Sequence, residues 1–164
     1  MDTGAVRPLK IDRRTPLDDS GEESVRVRTI AQVESNPEHF LLEYSKRFGN
    51  VLNADNAATL FDEYNVNPAK YRVAVHPAAQ WIRDELFRRT LAEPAVAGNN
   101  RVVFTAGGNA SGKSSTVAAS GADAGAQIVL DSTFSNPDQC RPTGSRCPGS
   151  REDGLYLLCK PATW

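Results

Sequence analysis

The stretch RVVFTAGGNASGKSS, residues 101–115, limits what this chain can fold into more than any other, because it sets a β-branched apolar run directly before a complete G-x-x-x-x-G-K-S loop. Each residue type in that loop has a physical task. Gly107, Gly108 and Gly112 carry no Cβ, so the backbone can turn tightly and aim successive N–H groups inward at a phosphate. Asn109, Ala110 and Ser111 complete the turn, and Ser115 continues it into the helix that follows. Lys113 adds a point charge with the reach to meet β- and γ-phosphates, and the Ser114 hydroxyl suits a magnesium ion. A helix starting here contributes the positive end of its dipole. The run therefore predicts nucleotide binding over residues 107–115, with Lys113 as the charge-stabilising group and Ser114 as a metal ligand.

Composition narrows the remaining classes. A chain of 164 residues fits one domain with an extension, and 40% hydrophobic residues are enough for a modest core. The formal net charge of -1 provides no global field for nucleic acid or an anionic membrane. No apolar run approaches membrane-spanning length, and MDTGAVRPLKIDRR is no hydrophobic signal, so a cytoplasmic protein is the default. Cys140, Cys147 and Cys159 have neither C-x-x-C spacing nor a nearby histidine, which reads as free thiols rather than a zinc site. His76 precedes Pro77 at an expected helix start, which suits a capping or packing role.

Residues 1–28 are rich in charged residues, Pro, Thr and Ser and show no sustained period, so they read as a mobile arm. A helical region is expected over residues 29–97. Pro37 opens one helix, Phe40, Leu41, Tyr44 and Phe48 share a face, and Gly49-Asn50 stops it. Asp55 resembles the N-cap of a second helix that buries Leu60, Phe61 and Tyr64 and ends at residues 65–68. His76-Pro77 then starts a third, with Ala78, Ile82 and Leu86 in one stripe and Trp81 beside them, closed by Pro94. Arg83, Asp84, Glu85, Arg88 and Arg89 alternate in sign along the rest of that helix, as a solvated face does.

Residues 98–138 form the expected nucleotide-binding core. Its first strand is Val102 to Thr105, its helix runs from Lys113 to Ser120, and GADAGA connects to a second strand, QIVLD. That strand has the continuous apolar run of one buried on both faces in a parallel sheet, and strand, helix and strand make a right-handed βαβ unit. The second strand ends on Asp131. A hard cation at the phosphates needs an oxygen ligand at the carboxyl edge of the sheet, which makes Asp131 a candidate for catalysis and for magnesium. It fits equally a strand-end turn in DSTFSNPD.

Taken together, VAVHPAAQWIRDELFRRTL, VVFTAGGNASGKSS and IVLDSTFSNPD resemble the zeta toxin family of ATP-dependent kinases over roughly residues 70–138. The resemblance implies an α/β fold, a partial P-loop kinase with a parallel sheet and βαβ core preceded by an α-helical N-terminal region. It implies ATP and magnesium at residues 107–115, and Asp131, Ser132 and Thr133 near an acceptor such as a UDP-N-acetylsugar. Two departures accompany it. The family places a strand ending in an aspartate base where only GADAGA stands here, and the family's arginine-bearing lid has no counterpart. The alternative reading is an ATP-binding remnant without activity, or a module bound by an antitoxin-like partner.

Composition shifts again after Asp138. Residues 139–164 hold all three cysteines and show little periodicity, so they read as an irregular tail. Codons for this tail can be chosen such that the next reading frame encodes an amphipathic helix and then a β-branched, aromatic strand, the order a parallel α/β fold needs. The expectation is a frameshift near Asp138 that truncates a longer kinase.

Overall fold

A computed structural model of the chain describes residues 10–12, 16–93, 101–105, 126–131 and 155–159. The elements are α1 (Ser20–Ser35), α2 (Pro37–Phe48), β1 (Val51–Leu52), α3 (Ala54–Ala58), α4 (Asp62–Val66), α5 (Pro68–Ala92), β2 (Arg101–Thr105), β3 (Ala126–Asp131) and β4 (Leu155–Cys159). Helices and a mixed sheet make this an α/β protein. The chain divides into two compact units, one of Met1–Phe48 with Ala54–Arg88 and the other of Gly49–Asn53 with Arg89–Trp164.

The first unit is helical, and it begins earlier than the sequence suggests. Residues 20–28, expected in a mobile arm, form the first half of α1. Asp19 caps that helix, its carboxylate accepting the backbone N–H of Glu22 at 2.9 Å. Glu23 accepts the N–H of Leu17 at 3.0 Å and pairs with Arg26 at 2.7 Å, so the chain ahead of the helix is tied to its first turns. Val25, Thr29, Ile30 and Val33 are buried at helical spacing. Five charged residues interleaved with them, Glu22, Glu23, Arg26, Arg28 and Glu34, hide that stripe in the sequence.

The second helix follows expectation, from Pro37 to Phe48, with Leu41 and Tyr44 buried. Gly49 ends it at φ +60°, the left-handed conformation that a Cβ disfavours. The single helix expected after Asp55 is instead two, α3 and α4. The Thr59 hydroxyl donates to the Asn56 carbonyl at 2.7 Å, and the N–H groups of Thr59, Leu60 and Phe61 bond three residues back. That side-chain competition for the backbone breaks the helix. Phe61 is buried and stacks on Phe40 at 5.5 Å between centroids, whereas Leu60 and Tyr64 are only half-buried.

The long helix α5 departs most. It starts at Pro68 and carries Pro77 in its interior, where a start was expected. Proline there removes one N–H bond and crowds the preceding turn. Ala74, Val75, Ala78 and Ala79 are fully buried on either side of it, and that close packing holds the helix through the defect. His76 is therefore a half-buried residue of the helix interior. Glu85, expected on a solvated face, is 0% exposed. Arg88, one turn on, covers it by donating from Nε at 2.8 Å and from Nη2 to the two carboxylate oxygens. Arg83 pairs with the adjacent Asp84.

The second unit is the sheet, in the order β1-β3-β2-β4. The inner strands β2 and β3 are parallel, and β1 is parallel to β3 on the other side. Val102 and Val103 in β2, and Ile128, Val129 and Leu130 in β3, are buried in succession, so both faces of these strands are covered as their apolar runs require. Residues 155–159, expected in an irregular tail, form β4 and pair antiparallel with β2. LYLLC is a compact apolar run, and pairing it satisfies backbone groups that β2 would otherwise present on that side. The two-strand sheet expected from sequence is thus four-stranded.

Two outcomes follow for the helical unit. The N–H of Glu22 holds the Asp19 carboxyl below its ordinary range, and Arg26, with the N–H of Leu17, does the same for Glu23. Both groups bind protons less readily folded than unfolded, so the stability they confer is complete above their unfolded values and is lost as pH falls through the folded ones. Helical ellipticity and amide protection in α1 should fall below about pH 4.5, and Asp19→Asn, which caps without titrating, should flatten part of that dependence. Separately, Glu85→Ala leaves Arg88 without its buried partner and should cost about 3 kcal/mol in chemical denaturation. Replacing Glu85 and Arg88 together by leucine should cost less.

Candidate functional site

Of the site residues expected from the sequence, Asp131 ends β3 at the carboxyl edge of the sheet. In β2 and β3 the paired positions are Val102 with Ile128, Val103 with Val129, Phe104 with Leu130 and Thr105 with Asp131. The strand that feeds the glycine-rich loop and the strand that ends in the acid therefore finish level with each other. Parallel strands lie about 4.8 Å apart, so the backbone at the end of β2, Thr105, is beside that of Asp131. A parallel pair also demands a crossover of a dozen or more residues, and residues 106–125 supply it. The loop residues Gly107, Gly108, Asn109, Ala110, Ser111, Gly112, Lys113, Ser114 and Ser115 fall outside the described residues, as does the expected helix after them.

A one-residue irregularity adjusts the register at the opposite edge. Arg101 pairs with Ala126 while Val102 pairs with Ile128, so Gln127 is an extra residue in β3. Its side-chain amide donates to the Thr90 carbonyl at 3.3 Å. That carbonyl belongs to the last turn of α5, where helix carbonyls have no partner further along the helix. The bulge thus both sets the β2–β3 register and ties β3 to the end of the helix.

The strand β1 went unread in the sequence. Gly49-Asn50 was legible as a helix stop, and a two-residue strand leaves no periodicity to detect. What fixes it is Asn50, whose backbone carbonyl accepts the N–H of Val129 at 2.9 Å while its side-chain amide donates to the Ala126 carbonyl at 2.8 Å. Two bonds from one residue span four positions of β3 and set Val51 opposite Val129 and Leu52 opposite Leu130. One residue further, the half-buried Asn53 directly precedes α3. The edge therefore carries three parallel strand ends, Leu52 of β1, Asp131 of β3 and Thr105 of β2. In open α/β sheets, ligands bind at this edge.

The arginines of α5 are not gathered into an anion site, since Arg83 and Arg88 are engaged by Asp84 and Glu85. No group of three or more His, Cys, Asp or Glu among the described residues could hold a metal ion. No helix among the described residues is long and apolar enough to cross a membrane. No protein-family model matches this chain, and a search of curated proteins finds no match to it.

Asn50→Ala removes the bond to Ala126 and leaves the backbone bond to Val129 in place. The loss should be about 1 kcal/mol, with hydrogen exchange at the Val129 amide about fivefold faster. Unchanged exchange there would mean that backbone pairing alone holds β1 on β3.

Proposed function

We propose that this chain binds ATP with magnesium through residues 107–115 and transfers the γ-phosphate to a small hydroxylated acceptor, in the manner of a P-loop kinase. The observation that carries this reading is the parallel register that sets Thr105 opposite Asp131. It supports a phosphate loop opening at the same sheet edge as an acid, the arrangement this chemistry uses. The loop motif itself supplies the phosphate-binding groups.

In this reading the amides of residues 107–112 surround the β-phosphate. Lys113 stabilises the charge that spreads over the transferring group, where phosphoryl transfer gains most of its catalysis. The donor set fits a hard cation, since Ser114 offers a hydroxyl and Asp131 a carboxylate, both oxygen ligands. Magnesium, when bound, neutralises the β- and γ-oxygens. In this reading Asp131 also orients the acceptor hydroxyl. A nucleotide sugar is the acceptor that the zeta-toxin resemblance suggests, and an antitoxin-like protein is the partner it suggests.

Titrating ATP and magnesium into the chain and into Lys113→Ala, and assaying phosphate transfer to UDP-N-acetylglucosamine, tests the reading. ATP affinity should drop at least tenfold in the variant, because a charge-assisted contact to phosphate is worth about 1.5–3 kcal/mol, and transfer should vanish. Lys113-dependent binding with no transfer by either protein would reduce the function to nucleotide binding. Equal binding by both proteins would remove the phosphate loop from the function altogether.

A further inference from the structure

We propose that Gln127 is a positioning residue, its bond to the end of α5 holding Asp131 level with the end of β2; the inference rests on the kinase reading above. Burial alone does not fix the place of β3 beside β2. Ile128, Val129 and Leu130 are all buried, as are Val102 and Val103 on the neighbouring strand, so sliding β3 by one residue exchanges one apolar contact for another. A slip in the direction that removes the bulge would set Gln127 opposite Val102 and Leu130 opposite Thr105. Asp131 would then stand one residue beyond the end of β2 and, because the pleat alternates, on the other face of the sheet.

Gln127 opposes that slip from the point where the two strands fall out of step. It is the extra residue between Ala126, paired with Arg101, and Ile128, paired with Val102. Its side-chain amide donates to the Thr90 carbonyl at 3.3 Å, so removing the bulge would also pull the amide away from the last turn of α5. Thr90 and Gln127 belong to the same compact unit as the sheet. Asn50 braces Ala126 and Val129 from the β1 side, and Gln127 is the brace on the helix side. Its other amide atom, Oε1, is buried without a hydrogen bond from the described residues, a desolvation penalty that an apolar side chain of the same length would not carry. A polar group retained under that penalty serves the bond it makes rather than packing. Bulges of this kind recur beside active sites, where they re-aim the residues that follow. Asp131 follows four residues later.

The test uses the full chain with ATP and magnesium, comparing wild type, Gln127→Met, Asp131→Ala and the double variant. Methionine matches glutamine in length and keeps the space filled, but it offers no donor. The magnesium needed for half-maximal ATP binding should rise about fivefold in Gln127→Met, the loss of one hydrogen bond, and further in Asp131→Ala. The double variant should match Asp131→Ala, because Gln127 acts through that residue. Backbone nuclear Overhauser contacts, which need no ligand, should join Phe104 to Leu130 in wild type and gain a second set joining Thr105 to Leu130 in Gln127→Met. Gln127→Lys, which keeps a donor of sufficient reach, should suppress that second set. An effect of Gln127→Met on magnesium that persists undiminished beside Asp131→Ala would overturn the inference and leave the kinase reading standing. So would a loss of thermal stability with register and magnesium requirement both unchanged, which would assign Gln127 to folding alone. An unchanged magnesium requirement in Asp131→Ala would also overturn it, since Gln127 would then have nothing to position. Failure of Lys113-dependent ATP binding would instead overturn the kinase reading, and this inference with it.

Discussion

The sheet depends on the parallel pairing of β2 with β3, because β3 is the strand on which both neighbours are registered. Its interior is uniformly apolar, so its sideways position cannot be set by an alternation of buried and exposed residues. Polar groups at its start do that work instead. The extra residue at Gln127 shifts the ladder between Arg101 and Val102, and the Asn50 amide takes the Ala126 carbonyl. Without those two adjustments Val103, Ala126 and Val129 would lose the alignment that makes them one buried cluster. The same alignment brings Thr105 level with Asp131.

The helical unit solves a different problem, the burial of charge. Glu85 is fully enclosed, and the Arg26 side chain is only 7% exposed, yet each has an opposite charge one turn away along its own helix, Arg88 and Glu23. Pairing at i, i+3 lets the partner travel with the buried group, so the desolvation of each charge is offset locally. This also explains why the amphipathic stripe of α1 is hidden in the sequence. Charged residues occupy positions that a simple stripe would give to leucine.

A phosphate loop obtains little from the fold beyond its placement, since its own amides, lysine and hydroxyl make the contacts. An acceptor differs in this respect. It must be held by groups from other strands, and only strand order decides which ones reach it. In this chain strand order sets β1, whose Leu52 lies forty-nine positions ahead of Arg101, beside β3.

Much of the architecture was legible from residue order. Helix α2, its stop at Gly49 and the two parallel strands rest on interactions between near neighbours: backbone turns and runs of apolar residues. What sequence reading placed wrongly depended on distant partners. Pro77 stays inside a helix because packed alanines and Val75 hold both sides of it, and residues 155–159 become a strand because β2 has an edge to receive them. Asn50 reads locally as nothing more than a helix stop, and its bond to Ala126 joins residues 76 positions apart. Residue order alone thus determined most local conformations among the described residues, because those are set within a few residues. Tertiary structure alone decided the register that sets β1 beside β3 and Thr105 opposite Asp131, because hydrogen bonds between distant strands have no local signature.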